Sequence, residues 1–260
     1  MTTKFISDLI LSGAFELYGQ PKWTFGKNTC NTYEVFAEVV HLPGGAEIPA
    51  QLLLELIKRD EKLTMIFSQW FLDAAVESAA ALCQKTNSHV TLSIDLLPQY
   101  ASQELFVDRV VALLERTGFN PKKLQFDLSE AQSLSVKGIE NLNRLHDELG
   151  VGLYLANFGK GYANVDLLRD VHFDGSELDR SFAVGIPDND QAELMVFAIQ
   201  NFAHALNLQV CAKGIETPEQ FEFFEELKCF KGQGFIIGKP LPMSELEEYI
   251  GMYAIHAEED

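Results

Sequence analysis

The chain has 260 residues, of which 47% are hydrophobic and 22% are charged. That length and composition allow one well-buried core, and single-domain α/β barrels commonly contain about 200 to 250 residues. The formal net charge of -18 repels phosphate backbones, which disfavours a nucleic-acid-binding groove. We therefore expect one domain over residues 1–260, with a core at about 3–250 and a solvated acidic tail at 257–260.

The sequence contains neither a recognisable membrane or secretory segment nor a cysteine motif for a disulfide framework or a zinc site. No apolar run approaches the roughly 20 residues that span a bilayer, and the first segment carries Asp8 where a secretory signal would be basic. We expect a cytoplasmic protein without a membrane segment. The four cysteines form no C-x-x-C pair and lie mostly in apolar surroundings, which indicates reduced buried thiols and disfavours a disulfide framework or a zinc site.

Strand-like and helix-like segments alternate along the chain. The β-rich runs lie at 14–18, 33–40, 89–94, 124–128, 151–155, 208–212 and 234–237. Apolar stripes predict helices over 103–117 and 136–149, and the nearly all-apolar run 190–206 predicts a well-buried helix. Thr217, Pro218 and Gln220 predict a helix start with a capping box.

This alternation predicts a parallel sheet joined by right-handed crossovers. A closed barrel and an open doubly wound sheet both suit the chain length. A dinucleotide-binding open sheet would carry G-x-G-x-x-G after its first strand, and residues 18–30 contain no such motif. We therefore predict an α/β fold of the modified TIM-type (β/α)₈ barrel class.

A barrel of this class builds its site at the carboxyl ends of its strands. The polar or small residues that end the predicted strands are Glu34, Ser93, Asp95, Asp127, Glu130, Ala156, Asn157, Glu177, Asp179, Lys213, Glu216 and Gln233. Carboxylates that converge from several strands suit Mg²⁺ or Mn²⁺ and phosphoester cleavage. The alternative is that these acids cap helices and face water.

Taken in order, the segments resemble the bacterial EAL domain, a modified barrel that hydrolyses cyclic di-GMP with two metal ions. The matching segments are 15–21 (FELYGQP), 33–36 (YEVF), 49–55 (PAQLLLE), 93–96 (SIDL), 124–130 (LQFDLSE), 156–162 (ANFGKGY), 177–182 (ELDRSF), 212–217 (AKGIET) and 233–240 (QGFIIGKP). They span nearly the whole chain, and their shared order implies the EAL-like fold.

The departures from the family pattern fall on the metal ligands that the resemblance implies. Glu34 and Glu216 remain, while Asp95 stands for an Asn and Asp127 for a longer Glu. Ala156 and Asn157 replace two Asp residues, and Lys213 replaces a Glu. These changes remove ligands and negative charge that two cations require. The resemblance therefore implies a vestigial site with no catalytic residue and no metal, hence a chain that is not an enzyme.

Two further departures concern ligand binding and charge pairing. Glu38 stands where the family places an arginine that meets a ligand phosphate, although Gln20, which in the family reaches the guanine, is retained. Together with Glu34, Asp179 and Gln233, these positions form a vestigial ligand site, and cyclic di-GMP binding is disfavoured. The family Lys and Glu at 177 and 213 are exchanged here, which predicts a Glu177–Lys213 ion pair; the alternative is two independent substitutions.

The resemblance implies a catalytically inactive EAL-like protein of the stand-alone, anti-flagellar-regulator type. We expect it to bind a regulatory protein in bacterial signalling or transcription control, such as a transcription factor with a basic surface, as a monomer or a homodimer. One alternative is a cyclic di-GMP receptor without hydrolysis. Another is a weak phosphodiesterase that uses Glu34, Asp95, Asp127, Glu216 and one Mg²⁺ or Mn²⁺.

Overall fold

In the computed structural model, which describes residues 2–129, 134–159 and 165–253, ten strands belong to one hydrogen-bonded sheet. They are β1 Phe15–Thr24, β2 Thr29–His41, β3 Glu47–Pro49, β4 Thr91–Asp95, β5 Leu124–Ser129, β6 Gly152–Phe158, β7 Gly175–Leu178, β8 Gln209–Lys213, β9 Lys231–Gln233 and β10 Leu241–Pro242. Glu130, the turn at 160–162 and the acidic tail 257–260, all used in the sequence analysis, lie outside the described residues.

The sheet closes into a barrel of eight strands within the described residues. Parallel pairing runs from β2 through β4, β5, β6, β7 and β8 to β9. β1 closes the ring and is antiparallel to both β2 and β9. β3 and β10 extend the edges of β2 and β1. The predicted α/β barrel is confirmed, and the antiparallel first strand is what modifies the TIM-type arrangement.

Helices surround the barrel. They are α1 Thr3–Leu11, α2 Gln51–Ile57, α3 Glu61–Thr86, α4 Pro98–Ala101, α5 Phe106–Thr117, α6 Val136–Leu149, α7 Val165–Asp170, α8 Asp190–Ala205, α9 Pro218–Glu226 and α10 Leu246–Tyr253. The capping box predicted at the start of α9 is present, with the Thr217 side chain accepting from the Gln220 N–H. Each described helix lacks the length or apolarity that a membrane span requires.

Several strands differ from their predictions. β1 and β2 run longer than predicted, and β3, β7 and β10 were not predicted. β9 occupies Lys231–Gln233, not 234–237. Directly after it, Gly234 contacts the backbone of Ile215 so closely that a Cβ there would lie 1.8 Å from the Ile215 oxygen. The chain turns at this point, with the Gly238 N–H donating to the Gly234 carbonyl. β7 was not predicted from the hydrophobic pattern because it has few apolar residues, although all four of its residues are buried.

The prediction that 190–206 is a well-buried helix is wrong in its burial. In α8 only Val196 and Ala203 are buried, while Leu194 and Phe197 keep 67% and 55% of their surface exposed. An all-apolar sequence normally indicates a helix covered on every side. Here the helix lies on the outside of the barrel, so one face packs and the opposite face meets solvent.

Candidate functional site

The carboxyl ends of the barrel strands enclose a cavity of about 290 Å³. The strand register explains why its polar residues meet: Gln20 pairs with Glu34 across β1 and β2, and Lys213 pairs with Gln233 across β8 and β9. The residues that line it are Gln20, Glu34, Asn157, Asp179, Arg180, Lys213, Gly214, Glu216, Gln233, Gly234 and Phe235.

A second cavity of about 270 Å³ is lined mostly by apolar side chains, and its polar lining includes Asp95, Asp127 and Asn157. Asn157 lines both cavities. Its φ of 57° falls in the left-handed region, which asparagine tolerates better than most residues. Ala156 is buried within β6, and its methyl group offers no ligand atom. Glu38 is exposed on β2 and does not line either of these cavities.

Three of the predicted carboxylates form a cluster suited to a cation. One oxygen each from Glu34, Asp95 and Asp127 lies within 4.8 Å of the others. Asp95 and Asp127 are neighbours in register on β4 and β5, and Glu34 stands on the adjoining strand β2. Glu216, by contrast, is exposed at the rim, and its backbone N–H donates to Gln220 Oε1 at 2.7 Å.

Lys22 is a site residue that was not predicted from the sequence, as are Arg180 in the cavity lining and Gln125 beside Asp127. It is fully buried inside the barrel, where its Nζ lies 2.5 Å from Glu177 Oε1 and donates to Ser93 Oγ at 2.7 Å. The same Nζ lies 3.3 Å from Asp127 Oδ2 and 3.6 Å from Glu34 Oε2. The available signal was strand periodicity, because Lys22 is two residues after Gln20 and therefore points to the same side of β1.

The predicted Glu177–Lys213 ion pair is confirmed. Lys213 Nζ lies 2.7 Å from Glu177 Oε2 and 2.9 Å from Glu34 Oε2. Glu177 is buried, whereas the Lys213 side chain keeps 17% of its surface exposed and faces the cavity at the barrel mouth. Glu177 therefore pairs with two ammonium groups, that of Lys22 inside the barrel and that of Lys213 at the barrel mouth.

Charges within the cluster set the protonation of its acids. Burial alone would raise the pKa of Glu34, but Lys213 and Lys22 lower it to about 2. Burial and the Glu34 carboxylate raise the pKa of Asp95 to about 7, although part of its side chain meets solvent, and Lys213 offsets only part of that rise. Burial opposes the charge of Lys213, yet Glu177 and Glu34 raise its pKa well above the ordinary value.

Asp127 is held by several donors. Its carboxylate accepts from Ser93 Oγ, and from Gln125 Nε2 at 2.6 Å. Burial and the nearby Glu177 raise its pKa to about 6 even though Lys22 is close. Asp127 is therefore fixed in position by its donors and is mostly ionised at pH 7.

The amide side chains at the rim are also held. Gln233 Nε2 donates to Gln20 Oε1 at 3.4 Å, and Gln20 Nε2 donates to the Gly238 carbonyl at 3.1 Å. Asp179 Oδ1 accepts from the Ser181 N–H at 3.0 Å, which caps the short turn after β7. The retained Gln20, Gln233 and Asp179 therefore present fixed polar groups to the cavity.

The donor set fits one divalent cation of the oxygen-preferring class. Mg²⁺ and Mn²⁺ take carboxylate oxygens and keep positions for water and phosphate, which three side chains would allow. Within the described residues, Ala156 and Asn157 supply no carboxylate for a second cation at their end of β6. Even with Glu34, Asp95, Asp127 and Glu177 all ionised, Lys22 and Lys213 would neutralise two of the four negative charges, and the raised pKa of Asp95 lowers the negative charge further at neutral pH.

Residues 4–240 match the family model described as EAL domain. The cyclic di-GMP phosphodiesterase NbdA of Pseudomonas aeruginosa is 32% identical over 190 residues, which are 72% of this chain and 24% of that protein. The cyclic di-GMP phosphodiesterase RocR of the same species is 28% identical over 92% of this chain and 60% of RocR. The chain therefore spans about a quarter to three-fifths of the length of these relatives.

Among solved structures, the EAL enzyme Bd1971 in its cAMP and cyclic di-GMP bound form superimposes with a TM-score of 0.86. Sequence identity is 21%, and the match covers 94% of this chain and 67% of that one. At this identity the likeness shows the fold.

The expectation that the chain is not an enzyme is wrong on these findings. Relatives as much as 32% identical are named cyclic di-GMP phosphodiesterases. The structure also contradicts the reason given for inactivity, because Glu34, Asp95 and Asp127 come together as a cluster that could hold a metal ion. Ala156 and Asn157 do lack the two Asp ligands, but Glu34, Asp95 and Asp127 converge as the weak-phosphodiesterase alternative expected, while Glu216 stays at the rim.

Proposed function

Because this chain belongs to the EAL domain family, we propose that it binds cyclic di-GMP at the barrel mouth and hydrolyses it slowly with one divalent cation. The observation that carries the proposal is the convergence of Glu34, Asp95 and Asp127 within 4.8 Å beside a cavity of about 290 Å³. The phosphodiesterase names of the relatives and the cyclic di-GMP bound form of Bd1971 support the same substrate.

Different residues of the site would bind the cation, the phosphate and the guanine base. Glu34, Asp95 and Asp127 would hold Mg²⁺ or Mn²⁺, which, when bound, activates water and polarises the phosphodiester. Lys213 carries a positive charge at the cavity wall, where it can donate to a phosphate oxygen as negative charge develops there. Gln20 and Gln233 present amide groups that suit the edge of a guanine base.

Slow turnover follows from the charge of the site. Lys213 Nζ sits 2.9 Å from Glu34 Oε2, so the cation must compete with an ammonium for that carboxylate. Ala156 removes a ligand at the strand end where the family places an Asp. With fewer ligands and less negative charge, we expect weaker cation affinity and lower turnover than in two-metal relatives.

The test measures conversion of cyclic di-GMP to its linear product by the purified chain with Mg²⁺ and with Mn²⁺. We expect product from the wild type and from the control Glu115→Gln, which changes an exposed acid on α5. Asp95→Ala, which removes the ligand oxygen, should lower the rate at least tenfold while leaving the circular dichroism spectrum unchanged. Absence of linear product with both cations would overturn hydrolysis, and calorimetric heat without product would leave cyclic di-GMP binding alone.

A second function, binding of a regulatory protein, is favoured by the outer face of α8. Leu194, Met195, Phe197 and Phe202 are exposed there, each with at least 40% of its surface accessible. Asp188 and Asp190 stand at the start of this helix and are exposed, and the whole chain carries -18. We propose a partner with basic groups around an apolar contact, which suits a transcription factor's basic surface.

A photo-reactive residue at position 197 tests this second function in the native cell. We expect it to capture one protein, and we expect the purified pair to dissociate faster as ionic strength rises. The same residue at position 115 is the control, because that exposed site lies on α5. Equal capture at both positions, or binding that is indifferent to salt, would contradict a charged docking face on α8.

A further inference from the structure

Two histidines and two aspartates meet at the end of the barrel opposite the cavity. His146 and Asp147 belong to the last turn of α6, His172 lies between α7 and β7, and Asp174 immediately precedes β7. Because β6 and β7 begin here, this cluster is at the amino ends of the strands. None of these residues takes part in the chemistry proposed for the barrel mouth.

The ring nitrogens of both histidines converge on one carboxylate oxygen. His146 Nδ1 lies 3.0 Å from Asp147 Oδ1, and His172 Nδ1 lies 3.0 Å from the same oxygen. The two rings are 6.0 Å apart between centroids and inclined at 76°. One ligand atom from each of the three residues lies within 4.8 Å of the others.

We propose that His146, Asp147 and His172 bind a divalent transition-metal ion, with Zn²⁺ the best match. Zinc takes imidazole nitrogen and carboxylate oxygen at about 2.0–2.2 Å in a tetrahedral arrangement, which separates neighbouring ligand atoms by roughly 3.3 Å. The observed separations of 3.0 Å are close to that spacing. The Asp147 and His172 side chains are about half exposed, which leaves the fourth position to water.

A supporting carboxylate orients the first histidine. His146 Nε2 lies 3.2 Å from Asp174 Oδ1, while Asp174 Oδ2 accepts from the Leu153 N–H at 2.9 Å. His146 Nδ1 contacts Asp147 Oδ1, so an arriving ion would displace the Nδ1 proton, while Nε2 keeps its proton toward Asp174. A carboxylate behind a ligating histidine fixes its tautomer and raises its basicity in metal sites.

The segment that carries the second histidine is also anchored. The His172 N–H donates to Asn143 Oδ1 at 3.0 Å, and Asn143 Nδ2 donates to the Asp170 carbonyl at 2.9 Å. α6 therefore holds this segment before any ion arrives. An ion here would join the end of α6 to the start of β7, so its binding should stabilise the folded chain.

The chain contains a matched cluster without a second imidazole. His41 lies 3.3 Å from both Glu16 and Glu47, so it has two carboxylate neighbours and similar exposure. A histidine that only pairs with carboxylates should behave like His41 toward metal. His41→Ala is therefore the control, and Asp95→Ala identifies any ion that binds at the barrel mouth instead.

The experiment titrates the metal-stripped full chain with ZnCl₂ by calorimetry and with CoCl₂ by visible absorption. We expect one ion per chain at this site, a tetrahedral Co²⁺ spectrum and a higher melting temperature with Zn²⁺. His172→Ala and Asp147→Asn should each weaken binding at least tenfold, and Asp174→Asn about tenfold. His41→Ala should change neither the affinity nor the Co²⁺ spectrum, and Asp95→Ala should remove only the signal of an ion bound at the barrel mouth.

Zinc binding that persists unchanged in both His172→Ala and Asp147→Asn would overturn the proposal, as would a wild-type chain that gives no heat and no Co²⁺ spectrum. Asp147 is exposed, so Asp147→Asn keeps the proposal testable even where a histidine variant fails to fold. This result is independent of phosphodiesterase activity, which depends on residues at the opposite end of the barrel.

Discussion

At the scale of single residues, the buried ammonium of Lys22 balances the charge of the carboxylates inside the barrel. This ammonium lies within 3.6 Å of three carboxylates, of which Glu177 and Asp127 are almost completely buried. We expect Lys22→Met to destabilise the chain by about 3–5 kcal/mol, because it leaves buried acids without their cation. Urea unfolding measures the loss, and adding Asp127→Asn should restore part of it. A Lys22→Met chain as stable as the wild type would contradict this account.

Lys231 is a second buried lysine, with the opposite electrostatic environment. Burial and the charge of Lys22 lower its pKa to about 8, and its Nζ stands 5.3 Å from the Phe230 ring centroid. Below pH 8 the folded chain keeps a poorly solvated ammonium, so Lys231→Met should stabilise it by about 3 kcal/mol at most. Between pH 8 and 10.5 the folded lysine loses its proton first, and that advantage should decline.

Thermal unfolding of Lys231→Met and wild type at pH 7 and pH 10 measures this dependence. The difference in melting temperature should be larger at pH 7. Equal differences at both pH values would mean that packing, not charge, decides the effect. Glu177 and Lys213 could be paired from the sequence because each departs from a family motif. Lys22 could have been found from its spacing to Gln20, whereas Lys231 lies in β9, whose position the sequence predicted wrongly.

At the scale of helices and strands, the sequence predicted a feature correctly where residues close together in the chain determine it. The start of α9 is set by Thr217, Pro218 and Gln220, all adjacent in sequence. We expect Thr217→Ala to cost about 1 kcal/mol, because the Gln220 N–H loses its acceptor. Thr217→Ser keeps a hydroxyl and is the control. Denaturant midpoints compare the two, and an equal loss in both variants would assign the effect to the methyl group.

Predictions of the burial of α8 and of the position of β9 were wrong, because both depend on contacts with distant parts of the chain. The exposure of α8 depends on which helices flank it, and the end of β9 depends on contact between Gly234 and Ile215. The carboxylate cluster is an intermediate case. Strand ends predicted which acids approach the mouth, but only the register of β2, β4 and β5 brings Glu34, Asp95 and Asp127 together.

At the scale of the whole molecule, the dominant long-range interaction is the repulsion that follows from the net charge of -18. The described surface salt bridges include Lys85–Glu247 and Arg116–Glu77, whose exposed positions make them weak contributors. Repulsion among excess carboxylates acts over the Debye length, which falls from about 30 Å at 0.01 M salt to about 10 Å at 0.1 M. Screening should therefore relieve more repulsion than it removes attraction.

We accordingly expect the melting temperature to rise as sodium chloride increases from about 0.01 to 0.3 M. A gain of about 1 kcal/mol would correspond to roughly 2–4 °C for a chain near this size. Choline chloride should give the same rise, because screening depends on ionic strength and not on a specific cation. The buried pairs of Lys22 and Lys213 should contribute little to the change, since salt screens buried charges weakly. A melting temperature that falls with salt would mean that the surface ion pairs outweigh the repulsion, because their screening would then dominate the free energy of unfolding.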